Sequence, residues 1–347
     1  MSIAVLIMAG GSGERFWPLS TKEKPKQLLK LIDSERSLIR MTVDRVLPLT
    51  DISRVFIATN SIQAPAVKEE LPDLPVGNII IEPAFKDTAA AIGFGTTVIE
   101  SIYPNSTIVV LASDHLIKNE DNFIKRVKTA VETAENQNAI VTLGIKPTYP
   151  ETGYGYLETN ECYVGESAKV VRFCEKPALD IAKEYVSGGR HLWNSGMFIF
   201  KSSVIIDAFK KYLPGHFKIL ESIAKLGKEM RNPDNSELKN LFAGFEKISV
   251  DFGIMEKYDN TMVIPVDFGW NDIGSYPALA DVFPKNDKGS VIRNANVNEV
   301  SSSGNIVIGS GTRKISLLGV TDFVVVDTND NLLICSKLEA QNIKKLI

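Results

Sequence analysis

Three glycines follow directly on an apolar run: Ile3–Met8 leads through Ala9 into Gly10-Gly11-Ser12-Gly13-Glu14-Arg15. Glycine has no Cβ, so such a stretch can turn tightly and aim its N–H groups at an anion. Gly10, Gly11, Ser12 and Gly13 are therefore a candidate nucleotide-phosphate loop, with a purely structural turn as the alternative. The spacing is not Gly-x-Gly-x-x-Gly, because Phe16 stands where the third glycine would be, and it is not Gly-x-x-x-x-Gly-Lys-Ser. Arg15, and Lys26 within Lys24-Pro25-Lys26-Gln27, add fixed cations where a triphosphate would lie. Lys22, Lys24 and Lys30 read more simply as solvated surface charges.

Two carboxylates could hold a metal. Asp114 ends the apolar run Thr107–Ala112, and Asp272 follows Trp270-Asn271. Magnesium is commonly held by one or two carboxylates, with substrate phosphate oxygens and water completing its shell. The bland readings are a cap at Ser113-Asp114 and a turn at Asn271-Asp272-Ile273-Gly274. At Glu175-Lys176-Pro177 an acid and a base point opposite ways if the strand before them continues. One would then suit sugar hydroxyls and the other a phosphate, or the three residues form a surface turn.

The composition narrows the chemistry. With 39 Lys+Arg against 42 Asp+Glu in 347 residues, net charge −3, and no basic run longer than a pair such as Lys344-Lys345, nucleic acid is not expected as a partner. The three cysteines (Cys162, Cys174, Cys335) form no Cys-x-x-Cys, and the three histidines (His115, His191, His216) show no i, i+4 pair. That argues against a disulfide framework and a zinc hydrolase, and Cys174 reads as an inert core thiol. Ile3–Met8 is too short to span a bilayer and lacks a basic leader, so a soluble, cytoplasmic protein without membrane attachment is expected.

Buried strands and helices must position these residues. Short Val/Ile-rich runs at Ile3–Met8, Val55–Ala58, Asn78–Ile81, Thr107–Ala112 and Ala139–Leu143 alternate with helical spacing at Leu38–Leu47, Ala64–Leu71, Ala89–Ile102 and Phe123–Glu135. This predicts an α/β fold with a doubly wound, Rossmann-like sheet, whose ligands gather at the carboxyl ends of the strands. From about Thr152 strands are expected at Tyr154–Glu158, Val170–Cys174, Met197–Phe200 and Met262–Val266, with helices at Ala178–Val186, Ser203–Tyr212 and Ser236–Phe242, making the sheet mixed. After Pro284 short runs at Asn305–Ile308, Lys314–Leu318, Phe323–Val326 and Leu332–Cys335 are punctuated by Gly and Asn. We expect a catalytic domain over 1–285 and a small all-β domain over 286–347, built either as a short β-helix of stacked strands or as a β-sandwich remnant.

The stretch Ala9 to Ser20 with Pro25-Lys26-Gln27 resembles the signature of the sugar-phosphate nucleotidylyltransferases, specifically the mannose-1-phosphate guanylyltransferases. Further matches follow in order: Glu82-Pro83 with Asp87 to Ile92, Ala112 to His115, Thr152 to Tyr156, Phe173 to Pro177, Asn194 to Phe198, and Gly269 to Ser275. The resemblance implies transfer of GMP from GTP to mannose 1-phosphate, giving GDP-mannose and pyrophosphate. It implies Mg²⁺ held by Asp114 and Asp272, catalytic roles for Arg15 and Lys26, and nucleotide contacts from the glycine loop, Glu82, Thr88 and Ala89. Glu175 and Asn194 would hold sugar hydroxyls, Lys176 the sugar 1-phosphate, and the Gly153-Tyr154-Gly155 backbone would line the hexose pocket. Departures at Asp87 and Ala90 touch the base-side loop. No cupin-like extension follows the tail, so a fused isomerase is not expected; a homodimer built partly through residues 286–347 is. Rival expectations are another nucleotide and sugar-phosphate pair, a silent nucleotide-sugar sensor, and a nicotinamide dehydrogenase, which the fingerprint spacing disfavours.

Overall fold

The computed structural model describes residues 2–160 and 163–347; Cys162 lies outside the described residues. The chain divides into two compact units, one of Met1–Gly10, Arg40–Ser113 and Ile117–Trp270, the other of Gly11–Ile39, Asp114–Leu116 and Asn271–Ile347.

The first unit is built on β1 (Ile3–Met8), β2 (Val55–Asn60), β3 (Ile79–Glu82), β4 (Thr107–Ala112), the short β5 (Leu116–Ile117, of which only Ile117 belongs here), β6 (Ile140–Ile145), β7 (Tyr156–Thr159), β8 (Ala168–Cys174), β9 (His191–Lys201) and β10 (Thr261–Val266). Nine of these form one sheet in the order β3-β2-β1-β4-β9-β6-β10-β8-β7. The first four are parallel, β9 runs antiparallel to both β4 and β6, and β10 is parallel to β6. The expected mixed, doubly wound sheet is thus present. The strand order reverses between β1 and β4, which is where ligands gather in open α/β sheets. Met8 and Ala112 lie side by side at that point, and the chain leaves them toward Gly11 and Asp114.

The helices are α1 (Leu38–Val46), α2 (Ala64–Glu70), α3 (Asp87–Ile102), α4 (Glu120–Gln137), α5 (Leu179–Gly188), α6 (Ser202–Tyr212), α7 (Pro214–Ala224) and α8 (Ser236–Ala243). α3 is apolar nearly all round because it is covered on both sides, by strands β1–β3 and by α6 and α7. α4 extends beyond the expected Phe123–Glu135 because Asn119 caps its start, Oδ1 accepting from Asn122 N–H at 3.0 Å, and Asn138 ends it in the left-handed region. α7 is not among the expected helices. Proline at a first helical position needs no N–H, and the helix starts there. β3 begins one residue later than expected: Asn78 instead donates its side-chain amide to Ser53 O and Val55 O, at 2.8 and 2.9 Å.

In the second unit β11 (Trp270–Asn271, of which only Asn271 belongs here) precedes β12 (Val291–Arg293), β13 (Asn296–Val300), β14 (Ile306–Ile308), β15 (Lys314–Leu318), β16 (Phe323–Asp327) and β17 (Leu332–Ser336). Val291 lies beside Ile306 and Ile306 beside Val324, both in parallel, so one coil takes 15 residues and the next 18. β13 and β15 stack in the same way. This is the stacked-coil alternative rather than the sandwich remnant. Val307, Leu317 and Val325 fill its core. Buried Asn305 joins the coils, donating to Glu299 Oε1 (3.1 Å) and Val320 O (2.9 Å) and accepting from Phe323 N–H (3.0 Å).

Candidate active site

Gly13 fixes the shape of the glycine loop. Its φ is +64°, and a Cβ there would sit 2.5 Å from Lys26 N, so only glycine allows both the turn and the approach of Lys26. Its carbonyl accepts from Phe16 N–H (3.0 Å) and from Ser20 Oγ (2.7 Å). Buried Tyr276 clamps the far side, donating its hydroxyl to Phe16 O at 2.8 Å while its ring packs on Phe16 with centroids 4.9 Å apart. The loop is therefore held by a residue 260 positions away, a partnership no local pattern announces.

Held in this way, Lys26 is only 6% exposed. Its ammonium donates to Asp114 Oδ2 at 2.8 Å and to the carbonyl of Asp272 at 2.5 Å. Burial pushes the Asp114 carboxyl up, but the Lys26 charge and His115 outweigh it and hold Asp114 below its ordinary value. The backbone at Asp272 is a turn, as the bland reading had it, with Asn271 Oδ1 accepting from Ile273 N–H at 2.7 Å. Ile273 has φ +45°, a strained conformation for a β-branched residue, and strain of this kind gathers at functional sites. The turn and the carboxylate role are compatible: the turn presents a carbonyl to Lys26 and leaves the Asp272 side chain facing a cavity.

That cavity, about 490 Å³, is lined by Gly11, Ser12, Gly13, Glu14, Arg15, Lys26, Asp114, His115 and Asp272, and also by Gln341 and Lys344. Arg15, Lys26, Asp114 and Asp272, expected from separate stretches of sequence, thus meet at one place. Two carboxylates offering hard oxygen donors to one cavity fit a divalent cation such as Mg²⁺. Among the described residues no group of three or more His, Cys, Asp or Glu surrounds a single point, so phosphate oxygens or water would complete the shell. Gln341 and Lys344 were missed; the pair Lys344-Lys345 was the only signal.

The residues expected at the sugar gather within the first unit. β8 ends at Cys174 and Lys176 takes φ +48°, so the strand does not continue through Glu175-Lys176 and the two side chains do not diverge. Instead Lys176 Nζ donates to Glu175 Oε1 at 2.6 Å. Desolvation alone would lower the Lys176 pKa, but Glu175 more than offsets it and the ammonium titrates above its ordinary value. Glu175 reaches inward because Gly155 has no side chain: a Cβ there would lie 2.5 Å from Glu175 Oε2. Asn194 is buried, its N–H donating to Gly155 O (2.8 Å), its Oδ1 accepting from Thr142 Oγ (2.9 Å) and its Nδ2 donating to Asp251 Oδ1 (3.0 Å). Tyr154 lies edge-on to Trp193 and Trp270, with centroids 5.3 and 5.5 Å apart. Gly153 N–H donates to Glu151 Oε1 at 2.8 Å.

Asp251, on the short π-helical turn Asp251–Met255, was missed. Burial, then the charge of Glu175, pushes its carboxyl up to about 7. Nothing in its local sequence marks it, although a π-turn often accompanies function once seen. Thr88 and Ala89 hold the segment before it: Thr88 Oγ accepts from Val250 N–H (2.9 Å), and Ala89 N–H donates to Ile248 O (3.2 Å). Glu82, at the end of β3, is buried and its carboxyl pushed up to about 8; a Cβ on Gly10 would lie 3.9 Å from its Oε1.

The nucleotidyl transferase family model matches residues 4–289, and that of the MannoseP isomerase/GMP-like beta-helix domain matches residues 295–347. Mannose-1-phosphate guanylyltransferase 2 of Escherichia coli O157:H7 is 34% identical over 357 residues, covering 99% of this chain and 73% of that protein. Xanthan biosynthesis protein XanB of Xanthomonas campestris is 36% identical over 346 residues, covering 99% and 72%. A crystal structure from Thermus thermophilus, described as a mannose-1-phosphate geranyltransferase, superposes with TM-score 0.88 at 30% identity, over 100% of this chain and 98% of that one. With a family model spanning most of its length and relatives above 30% identity along nearly all of it, the chain belongs to the nucleotidyl transferase family, on the mannose-1-phosphate guanylyltransferase branch.

Proposed function

We propose that the chain transfers GMP from GTP to α-D-mannose 1-phosphate, releasing GDP-mannose and pyrophosphate. The observation that carries this reading is the convergence of Gly11, Ser12, Gly13, Arg15, Lys26, Asp114 and Asp272 on one cavity of about 490 Å³. Relatives named for this reaction support the choice of substrates.

Both substrates are anions, so the barrier lies in bringing them together in line. An oxygen of the sugar phosphate attacks the α-phosphorus of GTP; the new P–O bond forms as the bond to the β-phosphate bridging oxygen breaks, and pyrophosphate leaves. A phosphate monoester is largely ionised near neutral pH, so the attacking oxygen needs no general base. Lys26 stabilises charge around the α-phosphorus and Arg15 the departing pyrophosphate. Mg²⁺ held by Asp114 and Asp272 would neutralise phosphate charge and polarise the P–O bonds. The loop Gly10–Gly13 cradles phosphates, and Glu82, Thr88 and Ala89 lie on the nucleotide's base or ribose side. Glu175, Asn194 and Asp251 hold sugar hydroxyls, with Tyr154 and the Gly153 and Gly155 backbone lining the hexose pocket, and Lys176 takes the 1-phosphate.

The catalytic domain is proposed to end near residue 285, and the protein to act as a cytoplasmic homodimer. Val300, Leu318, Leu332 and Ile334 are exposed on the β-coil, 49, 76, 55 and 58% respectively, apolar side chains that a second copy would cover. No helix among the described residues is long and apolar enough to cross a membrane.

The test is pyrophosphate release from the purified protein in a grid of four nucleoside triphosphates against mannose 1-phosphate and glucose 1-phosphate, with Mg²⁺ or with EDTA. Release chiefly with GTP, mannose 1-phosphate and Mg²⁺ is expected. Release in another cell would replace the substrates. Silence throughout, with nucleotide-sugar binding intact, would replace the enzyme by a sensor.

A further inference from the structure

The C-terminal 3-10 stretch Lys337–Leu346 packs beside the turn Glu14–Phe16 that carries Arg15. Its inward residues Ala340 and Ile343 are 0 and 2% exposed, so the stretch is anchored at the point where it meets the cavity. Arg15 is exposed on a three-residue turn, and its long side chain has rotamer freedom to lose on being held. Arg15 Nη1 donates to Gln341 Oε1 at 3.2 Å, and Gln341 Nε2 donates to Ser275 Oγ at 3.3 Å. The orientation of this amide follows from chemistry. A guanidinium only donates, so the Gln341 oxygen must face Arg15 and the nitrogen must face Ser275. A neutral glutamine thereby aims Arg15 without cancelling its charge, as a glutamate would.

Lys344 lines the same cavity and has no ion-pair partner among the described residues. Without it the lining would carry three carboxylates, Glu14, Asp114 and Asp272, against two fixed cations, Arg15 and Lys26. Lys26 is moreover already engaged by Asp114. A net negative lining repels a triphosphate, and a third cation brings the protein's own charge to balance.

We propose that the stretch Lys337–Leu346 lends two residues to the nucleotide site: Lys344 contacts the outer phosphates of the triphosphate, and Gln341 is a positioning residue for Arg15. The proposal rests on the reading of the cavity given under Proposed function. The β-coil then contributes to catalysis as well as to assembly, because its last turn completes the phosphate site.

The test uses the full chain and two readouts. Inorganic tripolyphosphate is titrated calorimetrically at several salt concentrations, and steady-state turnover is measured with GTP and mannose 1-phosphate. Lys344→Ala should weaken tripolyphosphate binding about tenfold, the loss of one charge-assisted contact, and flatten its salt dependence. Lys344→Arg should restore binding, and Lys345→Ala, which removes a neighbouring exposed charge outside the cavity, should change neither readout. Gln341→Ala should lower kcat about fivefold in the wild-type background and have no further effect in Arg15→Ala, since a positioning role needs the residue it positions. Gln341→Glu should weaken tripolyphosphate binding more than Gln341→Ala. Wild-type binding in Lys344→Ala, or an equal loss from Gln341→Ala with and without Arg15, overturns the inference while leaving the reaction standing. Failure of the wild-type chain to bind tripolyphosphate overturns the reading of the cavity, and this inference with it.

Discussion

Asp251→Asn separates stability from function at the sugar cluster. Burial and the neighbouring Glu175 raise the Asp251 carboxyl from 3.8 to about 7, with Lys176 and Asn194 opposing them. A carboxyl whose pKa is raised by folding favours the folded state most below its unfolded pKa, and that advantage is lost as pH rises from about 3.8 to about 7. At about 1.4 kcal/mol per unit, the part of this loss between pH 5 and pH 7 is about 2 kcal/mol. Asparagine has the same shape, can still accept from Asn194 Nδ2, and does not titrate. Urea unfolding at pH 5, 6, 7 and 8 should therefore show the variant gaining on the wild type by ~2–3 kcal/mol from pH 5 to pH 7, and then holding level. The KM for mannose 1-phosphate should rise 10- to 100-fold, on the order of one charge-assisted hydrogen bond, with the KM for GTP unmoved. A stability difference that stays constant from pH 5 to pH 8 would refute the reasoning, because it would mean that Asp251 ionises in the folded protein as it does in the unfolded chain.

Arg15→Ala, Lys26→Ala and Asp272→Ala should each lower turnover by about 10²–10³, as loss of one charge contact in a preorganised site does, and wild-type turnover in all three would sink the assignment. Gly13→Ala places a Cβ 2.5 Å from Lys26 N at φ +64°. It should destabilise the fold by about 1–2 kcal/mol from the left-handed backbone alone, and should displace Lys26. Thermal unfolding and turnover should fall together, and unchanged turnover would show that the loop does not position Lys26. Light scattering at micromolar concentration should return twice the chain mass, and a monomer would remove the proposed role of the exposed apolar residues on the β-coil.

Much of the frame was legible because its signals are local. Short continuous apolar runs rich in Val and Ile suit strands buried on both faces, and β1, β4 and β10 stand where the runs do, β10 beginning one residue earlier. β9 shows where this stops. Only Met197–Phe200 reads as a strand, since Asn194-Ser195-Gly196 interrupts the apolar run, yet the strand extends from His191 to Lys201. Thr142 and Asp251, distant in sequence, satisfy Asn194 and let a polar residue sit inside a buried strand. Glu175 and Lys176 were recognisable as a pair, but whether they diverge or meet depends on the backbone turning at Lys176.

The sequence by itself determined the α/β frame and the short strands of the tail, because residue type, apolar period and glycine placement are properties of neighbouring positions, and its ordered motifs singled out most residues of the two polar clusters, though not Asp251, Gln341 or Lys344. The tertiary structure decided what those residues do to one another. It seated Lys26 between Asp114 and the Asp272 carbonyl, set Asp251 against Glu175 and Asn194, and brought Gln341 to Arg15. Each of these depends on distance and desolvation between groups remote in the chain, and both are set only when the core closes around them.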